Sequence, residues 1–312
     1  MRFIVQRVLN IVPLLLITSF LALTLTALIP GGAASVLLGD AATPQAVARL
    51  NRSLGLDAPI PVQYWHWLDH LVHGNFGTSI ISGQPVSRLL GDALPLSLWL
   101  MFGSLVIAII VGIVAGVVLA LRVGRPVDYI GSAGSALGLA IPSFWLGLIL
   151  SVFIGVKLHW LPSGGYVAFS VNPVESIKSL ILPWVALALP SAAVIARQTR
   201  SSMVTVLATD YIRSARASGV SHTRLIIRHA LKNALVPVVT VAAFQLVVII
   251  GSSFVVEIAF GFSGIGSLTI QALTNRDLPV VQGTVIVIAV MVVAANLVAD
   301  LVHIWIDPRI RT

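Results

Sequence analysis

The densest chemistry in this sequence lies at residues 209–237, TDYIRSARASGVSHTRLIIRHALKNALVP, where Arg213, Arg216, Arg224, Arg228 and Lys232 occur with His222 and His229. Guanidinium and ammonium groups at this density bind carboxylates or phosphates through charge-assisted hydrogen bonds. An acidic protein surface and an anionic lipid surface are both suitable ligands. A second group, His66, His70 and His73, has i, i+4, i+7 spacing and shares one helix face. Neutral imidazoles so placed could hold a divalent metal. The chain has no cysteine, and only Asp69 lies nearby, so an interfacial helix with a polar histidine side is expected and no metal ligand is assigned. Glu257 and Asp300 stand at or within apolar runs, with Asn296 and His303 near the latter. Acids in such places are functional candidates by default. No chain of ionisable groups continues from either, so structural roles are expected rather than a proton relay.

Local signals place the basic residues on two short helices. Thr209 and Asp210 can open the first, through a capping oxygen and an acid at the positive end of the dipole. Gly219 can close it in a left-handed conformation, and Ser221 can cap a second helix. On that helix Arg224, Arg228 and Lys232 are spaced by four and line one side, while Ile227, Leu231 and Leu235 line another. Pro237 falls where an apolar run begins. Charge alone leaves a lipid anchor and a protein docking site equally open. A capped, glycine-hinged element leading into an apolar run favours a rigid lever.

Composition sets the solvent. Of 312 residues 57% are apolar and 10% charged, with a mean hydropathy of +1.00. A soluble domain of this length carries far more surface charge. Six runs each have about the 20 residues needed to cross a hydrocarbon core: Val8–Ile29, Leu96–Leu121, Ile130–Val156, Ser179–Ala196, Leu235–Val256 and Val280–Ile306. Continuous apolarity excludes the alternating strands of a membrane barrel. The first run is too long for a signal-peptide core and no small-residue cleavage site follows it, so it is retained as a helix. Everything outside the runs is expected to be loop, apart from the basic element and the outer segment 30–95. In that segment Tyr64, Trp65 and Trp67 suit the water–lipid boundary.

Of the 19 basic residues, 13 fall on one side of these runs: Arg2, Arg7, Arg122, Arg125, Arg197, Arg200, the five of the basic stretch, Arg309 and Arg311. The other six are Arg49, Arg52, Arg88, Lys157, Lys178 and Arg276, three of them in the long 30–95 loop, where the count carries little weight. Both termini and residues 209–234 are therefore expected in the cytoplasm. The net charge of +8 reflects this topology, and with no recognisable binding motif nucleic acid is not expected as a partner. None of Lys157, Lys178 or Lys232 follows a glycine-rich phosphate loop.

Four segments in order carry a family resemblance: LGLDAPIPVQY (54–64), AIPSFWLGL (140–148), DYIRSARASG with RHALKNALVP (210–237), and LVADLVHIWIDPRIR (297–311). The chain resembles permeases of binding-protein-dependent ABC importers, peptide/nickel branch, and its long outer loop resembles the first of the two permeases such systems encode. It departs from the broad pattern at Arg213, where glutamate is general, at Ser218, at Ser263 in SGIG, and at Gly31, Gly32 and Ala33. The arginine is common within the peptide branch.

The resemblance implies an all-α integral membrane protein of six transmembrane helices with the type I ABC importer permease fold. Its parts would be a first helix and long extracytoplasmic loop (1–95), a five-helix core (96–306) with coupling helices at about 209–234, and a cytoplasmic tail (307–312). The residues implied to couple to an ATPase are Asp210, Tyr211, Arg213, Ala215, Arg216, Ala217, Gly219, Arg224, His229 and Leu231. ATP and magnesium would be bound by one or two separate cytoplasmic subunits, and this chain would hold no cofactor and catalyse nothing. A second homologous permease, an extracytoplasmic binding protein and membrane lipid complete the partners, in a bacterial cytoplasmic (inner) membrane. The implied cargo is di- or oligopeptide, with nickel or glutathione as alternatives. A self-contained secondary transporter would need broken helices with mid-span polar clusters, for which Pro142 and Pro190 are the candidate breaks. An intramembrane enzyme would need paired catalytic groups at depth, and no such pair is visible.

Overall fold

The computed structural model describes residues 42–53 and 57–306, together with 13, 16–21, 23, 24 and 38. All the regular elements among them are helical. In chain order they are α1 (Pro44–Ser53), α2 (Ile60–Val72), α3 (Val86–Leu121), α4 (Pro126–Ala140), α5 (Ser143–Leu150), α6 (Pro173–Leu207), α7 (Asp210–Ala217), α8 (His222–Ala259), α9 (Ile265–Thr274) and α10 (Leu278–Ile306). The helices α3, α6, α8 and α10 are each long and apolar enough to cross a membrane; α4 and α5 with its extension to Lys157 supply a fifth crossing if counted together. The expected run Val8–Ile29 lies mostly outside the described residues, as do Gly31, Gly32 and Ala33, residues 54–56 of the outer motif and the tail 307–312.

The chain divides into two compact units, residues 1–97 with 263–293 and residues 98–262 with 294–312. In the first, Tyr64 of α2 stacks on Trp67 and meets Phe20 edge-on, and its hydroxyl donates to the Leu16 carbonyl at 3.0 Å. Val86, Leu90 and Ala93 from the start of α3 form a core with Ile265 and Ala272 of α9 and with Val280 and Val281 of α10. Asp277 pins the loop before α3. Its carboxylate accepts from Ser79 Oγ at 2.5 Å and from the Ile80 N–H at 3.1 Å. The Ile265 N–H, an orphan donor at a helix start, finds Ser97 Oγ at 2.8 Å.

The second unit is built around α6, whose most apolar stretch is 67% buried, against a third or less for the other crossing helices. Asn172 caps it, accepting from the Val174 and Glu175 N–H groups, with Pro173 in the first turn. The fit between α3 and α6 depends on small residues. A Cβ on Gly116 would lie 2.5 Å from Thr199 Cβ and 2.6 Å from the Ala196 carbonyl; one on Gly112 would lie 2.7 Å from Ile195 Cβ. Similar approaches seat α5 on α6, with Gly147 next to Ala186 and Phe260, and α4 on α6, with Gly138 next to Ala193. Val238 and Ala242 of α8 join Ala188, Ala192 and Ile195 of α6 in one buried cluster.

Three sequence expectations need correction. The run Ile130–Val156 is two helices bent by 100°. Pro142 causes the break: it forces Ile141 into extended backbone (φ −85°, ψ 120°). Pro190 and Pro183 instead lie inside α6 without ending it. The crossing helices overrun their apolar runs, α3 starting at Val86 rather than Leu96 and α6 reaching Pro173 and Leu207. Finally, α9 is a short, half-buried helix in a stretch expected to be loop.

Replacing Gly116 with leucine should destabilise the second unit by about 1–3 kcal/mol or more, because the carbonyl it meets is backbone and cannot yield. Gly134→Ala is the control, since nothing lies within 4 Å of its Cβ position. Thermal unfolding of the purified protein should show a lowered midpoint for the first variant and none for the second.

Candidate functional site

The basic stretch folds into α7 and the start of α8, joined at Gly219. The helix Asp210–Ala217 has one inward anchor, Ile212, which is buried against Met203, Leu225, Ile226, Ala230 and Ala234. Ala215 packs at the edge of the same cluster. Asp210, Tyr211, Arg213, Arg216 and Ala217 are exposed. Arg213 donates to Asp210 at 3.1 Å, one turn back along the helix. Gly219 has φ +79° and open space where a Cβ would sit, so backbone conformation and not crowding demands glycine here. Its N–H donates to the Arg216 carbonyl at 3.1 Å and the Val220 N–H to Ala215 at 3.3 Å, closing the helix end. The expected side-chain caps are absent: Thr209 Oγ1 donates backwards to the Val206 carbonyl at 2.7 Å, and neither Thr209 nor Ser221 accepts from its helix.

A side-chain bridge joins the two helices. The Tyr211 hydroxyl and His229 Nδ1 are 2.5 Å apart, with the rings 5.8 Å between centroids. Leu231 is half-buried and Arg224 exposed. The coupling residues named from the resemblance thus occupy one continuous element, with Asp210 through Gly219 on its outer surface and His229 tied to it through Tyr211.

The second helix departs from simple periodicity. Residues Leu225–Leu231 form a π-helical turn within α8. Leu225, Ile226, Ala230 and Ala234 are all buried on one side. In an unbroken α-helix Leu225 and Ala234, nine residues apart, would sit about 180° apart. The wider turn winds less per residue and brings them to one face. As a consequence Ile227, expected on an apolar side with Leu231 and Leu235, is 60% exposed.

Three features went unread in the sequence. Arg200 clamps Asp128 with two hydrogen bonds, Nε at 2.5 Å and a terminal nitrogen at 2.7 Å, tying α6 to the start of α4. The buried carboxylate also accepts from the Gly124 N–H at 3.1 Å. No local signal pairs residues 72 apart. The Gly112–Gly116 spacing was visible as a Gly-x-x-x-Gly pattern of the kind that brings membrane helices close. The bond between Ser79 and Asp277 spans 198 positions and could not be. Elsewhere, His66, His70 and His73 are exposed on or at the end of α2, with His73 Nδ1 2.7 Å from the Asp69 carbonyl. Among the described residues no three metal-binding side chains converge. Glu257 is buried in α8 and Asp300 half-buried in α10.

Residues 108–312 match the family described as binding-protein-dependent transport system inner membrane component, and residues 1–101 match the N-terminal part of such membrane components. A putative peptide transport system permease protein of Brucella abortus is 41% identical over 308 residues, 99% of this chain and 98% of that protein. The glutathione transport system permease protein GsiC of Salmonella choleraesuis is 37% identical over 311 residues, 100% of this chain and 99% of that protein. Among solved structures, the MetNI methionine ABC transporter in inward-facing conformations superposes with a TM-score of 0.58 at 19% identity, over 70% of this chain and 97% of that one. The last likeness establishes a shared fold.

The clamp between Arg200 and Asp128 generates an asymmetric expectation. Arg200→Ala leaves a buried carboxylate without its cation and should lower the unfolding temperature more than Asp128→Ala, which leaves a part-exposed guanidinium. The double variant should unfold close to Asp128→Ala, not at the sum of the two losses. Additive losses in thermal unfolding would show that the pair is not coupled.

Proposed function

We propose, for a chain that belongs to the family of binding-protein-dependent transport system inner membrane components, that it forms half of the translocation pathway of an ATP-driven peptide importer. The observation that carries this reading is the near full-length similarity to a peptide transport permease. Glutathione is the second cargo, favoured by the similarity to GsiC, and it is itself a tripeptide. A self-contained transporter is disfavoured by the apolar character of the broken pair: residues 130–156 contain no charged side chain near which an ion could be held.

In this reading the chain crosses a bacterial inner membrane six times, with both termini and residues 209–234 in the cytoplasm. A second, homologous permease forms the other half of the pathway. An extracytoplasmic binding protein delivers the cargo. Separate cytoplasmic subunits bind ATP and magnesium and hydrolyse the nucleotide. One of them docks on α7, through Asp210, Tyr211, Arg213, Ala215, Arg216, Ala217 and Gly219, with Arg224, His229 and Leu231 completing the element. The mechanical part of the proposal follows from packing. Ile212 sits in one cluster with Met203 near the end of α6, so a displacement of α7 presses directly on the central helix of its unit. Bistable, close-packed helices convert such small shifts into rigid rocking. Nucleotide state then biases which side of the pathway is open.

The chain should copurify with a second permease and with ATPase subunits, and alone it should not hydrolyse ATP. Hydrolysis by the isolated chain would contradict the division of labour. At matched membrane abundance, Gly219→Val should reduce uptake of a radiolabelled dipeptide or glutathione by about tenfold or more, since a β-branched residue at this φ costs roughly 1–3 kcal/mol. Gly219→Asn should retain more uptake, because asparagine tolerates the left-handed region. Arg213→Glu with Arg216→Glu should cut ATPase copurification; normal copurification and uptake in these variants would remove α7 as the lever.

A further inference from the structure

The π-helical turn exposes a surface on α8 that the docking element does not use. Leu225, Ile226 and Ala230 share a buried cluster with Ile212, so this side of α8 faces α7. Arg228 and Lys232 lie on the opposite side and are exposed, flanked by Ile227 at 60% and Val236 at 38% exposure. The ion pairs at Arg52, Lys178, Arg200 and Arg213 involve neither Arg228 nor Lys232. Two unneutralised cations with exposed aliphatic neighbours suit a ligand that is anionic at one end and apolar at the other.

Depth points the same way. The helix α8 has 38 residues, about 55 Å, and crosses a hydrocarbon core of roughly 30 Å. Much of its length must therefore project beyond the core. Its apolar stretch begins at Ala234. Lys232 precedes Val236 by about 6 Å along the axis, and Arg228 lies about one turn further out, which is the depth of the headgroup layer. Arg224 stands another turn away and remains with the docking element.

We infer that Ile227, Arg228, Lys232 and Val236 form a binding surface for anionic phospholipid. The headgroup phosphate bridges Arg228 and Lys232, and the two aliphatic side chains meet the acyl boundary. This goes beyond the proposed function and rests on it only for the leaflet concerned, the cytoplasmic one. An acidic surface on an ATPase subunit is the competing occupant, but the proposed docking element reaches this side of α8 at Arg224, about two turns further from the apolar stretch than Lys232. The lipid would brace α8 against the membrane while α7 moves.

The test uses the full chain with its partner permease and ATPase subunits in nanodiscs of phosphatidylcholine, titrated with phosphatidylglycerol up to about 30 mol%. Phosphatidylglycerol retained per assembly is read by mass spectrometry. Arg228→Gln with Lys232→Gln should weaken apparent phosphatidylglycerol affinity about 25-fold at low salt, from roughly fivefold per cation. Arg49→Gln with Arg52→Gln, both exposed on α1 and outside the docking element, should leave it unchanged. In phosphatidylcholine alone the Arg228/Lys232 variant should unfold at the wild-type temperature, because both positions are exposed. An unchanged lipid titration would overturn the inference, and so would loss of ATPase subunits from this variant with lipid binding intact. Orientation is read separately: the chain has no cysteine, so Ser218→Cys should react with an impermeant maleimide only from the cytoplasmic side. Reaction only from outside would sink the proposed topology while leaving the lipid titration interpretable.

Discussion

Everything in the larger unit depends on how closely other helices approach α6. In a membrane, lipid tails are as apolar as leucine, so burial of apolar surface gives helices little reason to associate. Contact area at short range must supply the attraction instead. Gly112 and Gly116 let α3 reach the backbone of α6 at Ala192 and Ala196, Gly147 admits α5, and Gly138 brings α4 next to Ala193. The helix so enclosed is also the one fixed by the Arg200–Asp128 clamp and capped by Asn172. Two-thirds of its most apolar stretch is buried, so neighbouring helices enclose most of it.

In the proposed docking role, that enclosure gives the basic element its mechanical meaning. A charged helix lying loosely on the protein could shift without consequence. Here α7 is only eight residues long, too short to be stable alone, and is held by a single deep anchor, Ile212, in a cluster that includes Met203 of α6. The Tyr211–His229 bridge adds a polar tie to α8. Gly219, at φ +79°, permits the turn between the two helices. In that role, force applied to the exposed arginines has two packing routes into the bundle, one through the Ile212–Met203 cluster to α6 and one through Tyr211 and His229 to α8.

The π-helical turn reconciles two demands on one sequence. Residues 222–238 must present a continuous buried side to α7 and α6 and an exposed basic side elsewhere. Read with α-helical steps, the buried set Leu225, Ile226, Ala230 and Ala234 is out of phase with itself. Widening one turn restores the phase and leaves Ile227 in the open. A residue that looks like core by spacing becomes part of a surface, which neither its type nor its position in the sequence announces.

Much of this protein was nonetheless legible in its sequence. Apolar runs too long and too uncharged for a soluble core marked the membrane helices, because the cost of an unpaired charge in hydrocarbon is paid locally, residue by residue. The Gly219 end of α7 was readable for the same reason: a left-handed helix end favours glycine whatever surrounds it. Family motifs in order, from AIPSFWLGL to the basic stretch, identified the permease. What the tertiary structure alone decided involves partners distant in the chain or phase set by packing. Asp128 meets Arg200 and Ser79 meets Asp277 because folded helices bring them together. The kink at Ile141 becomes a 100° bend, while Pro190 leaves α6 intact, because the same residue type breaks a helix or not according to what its neighbours can satisfy. Local energies are written in local sequence; the register of α8 and the clamp on α6 are set by contacts that exist only once the helices have packed.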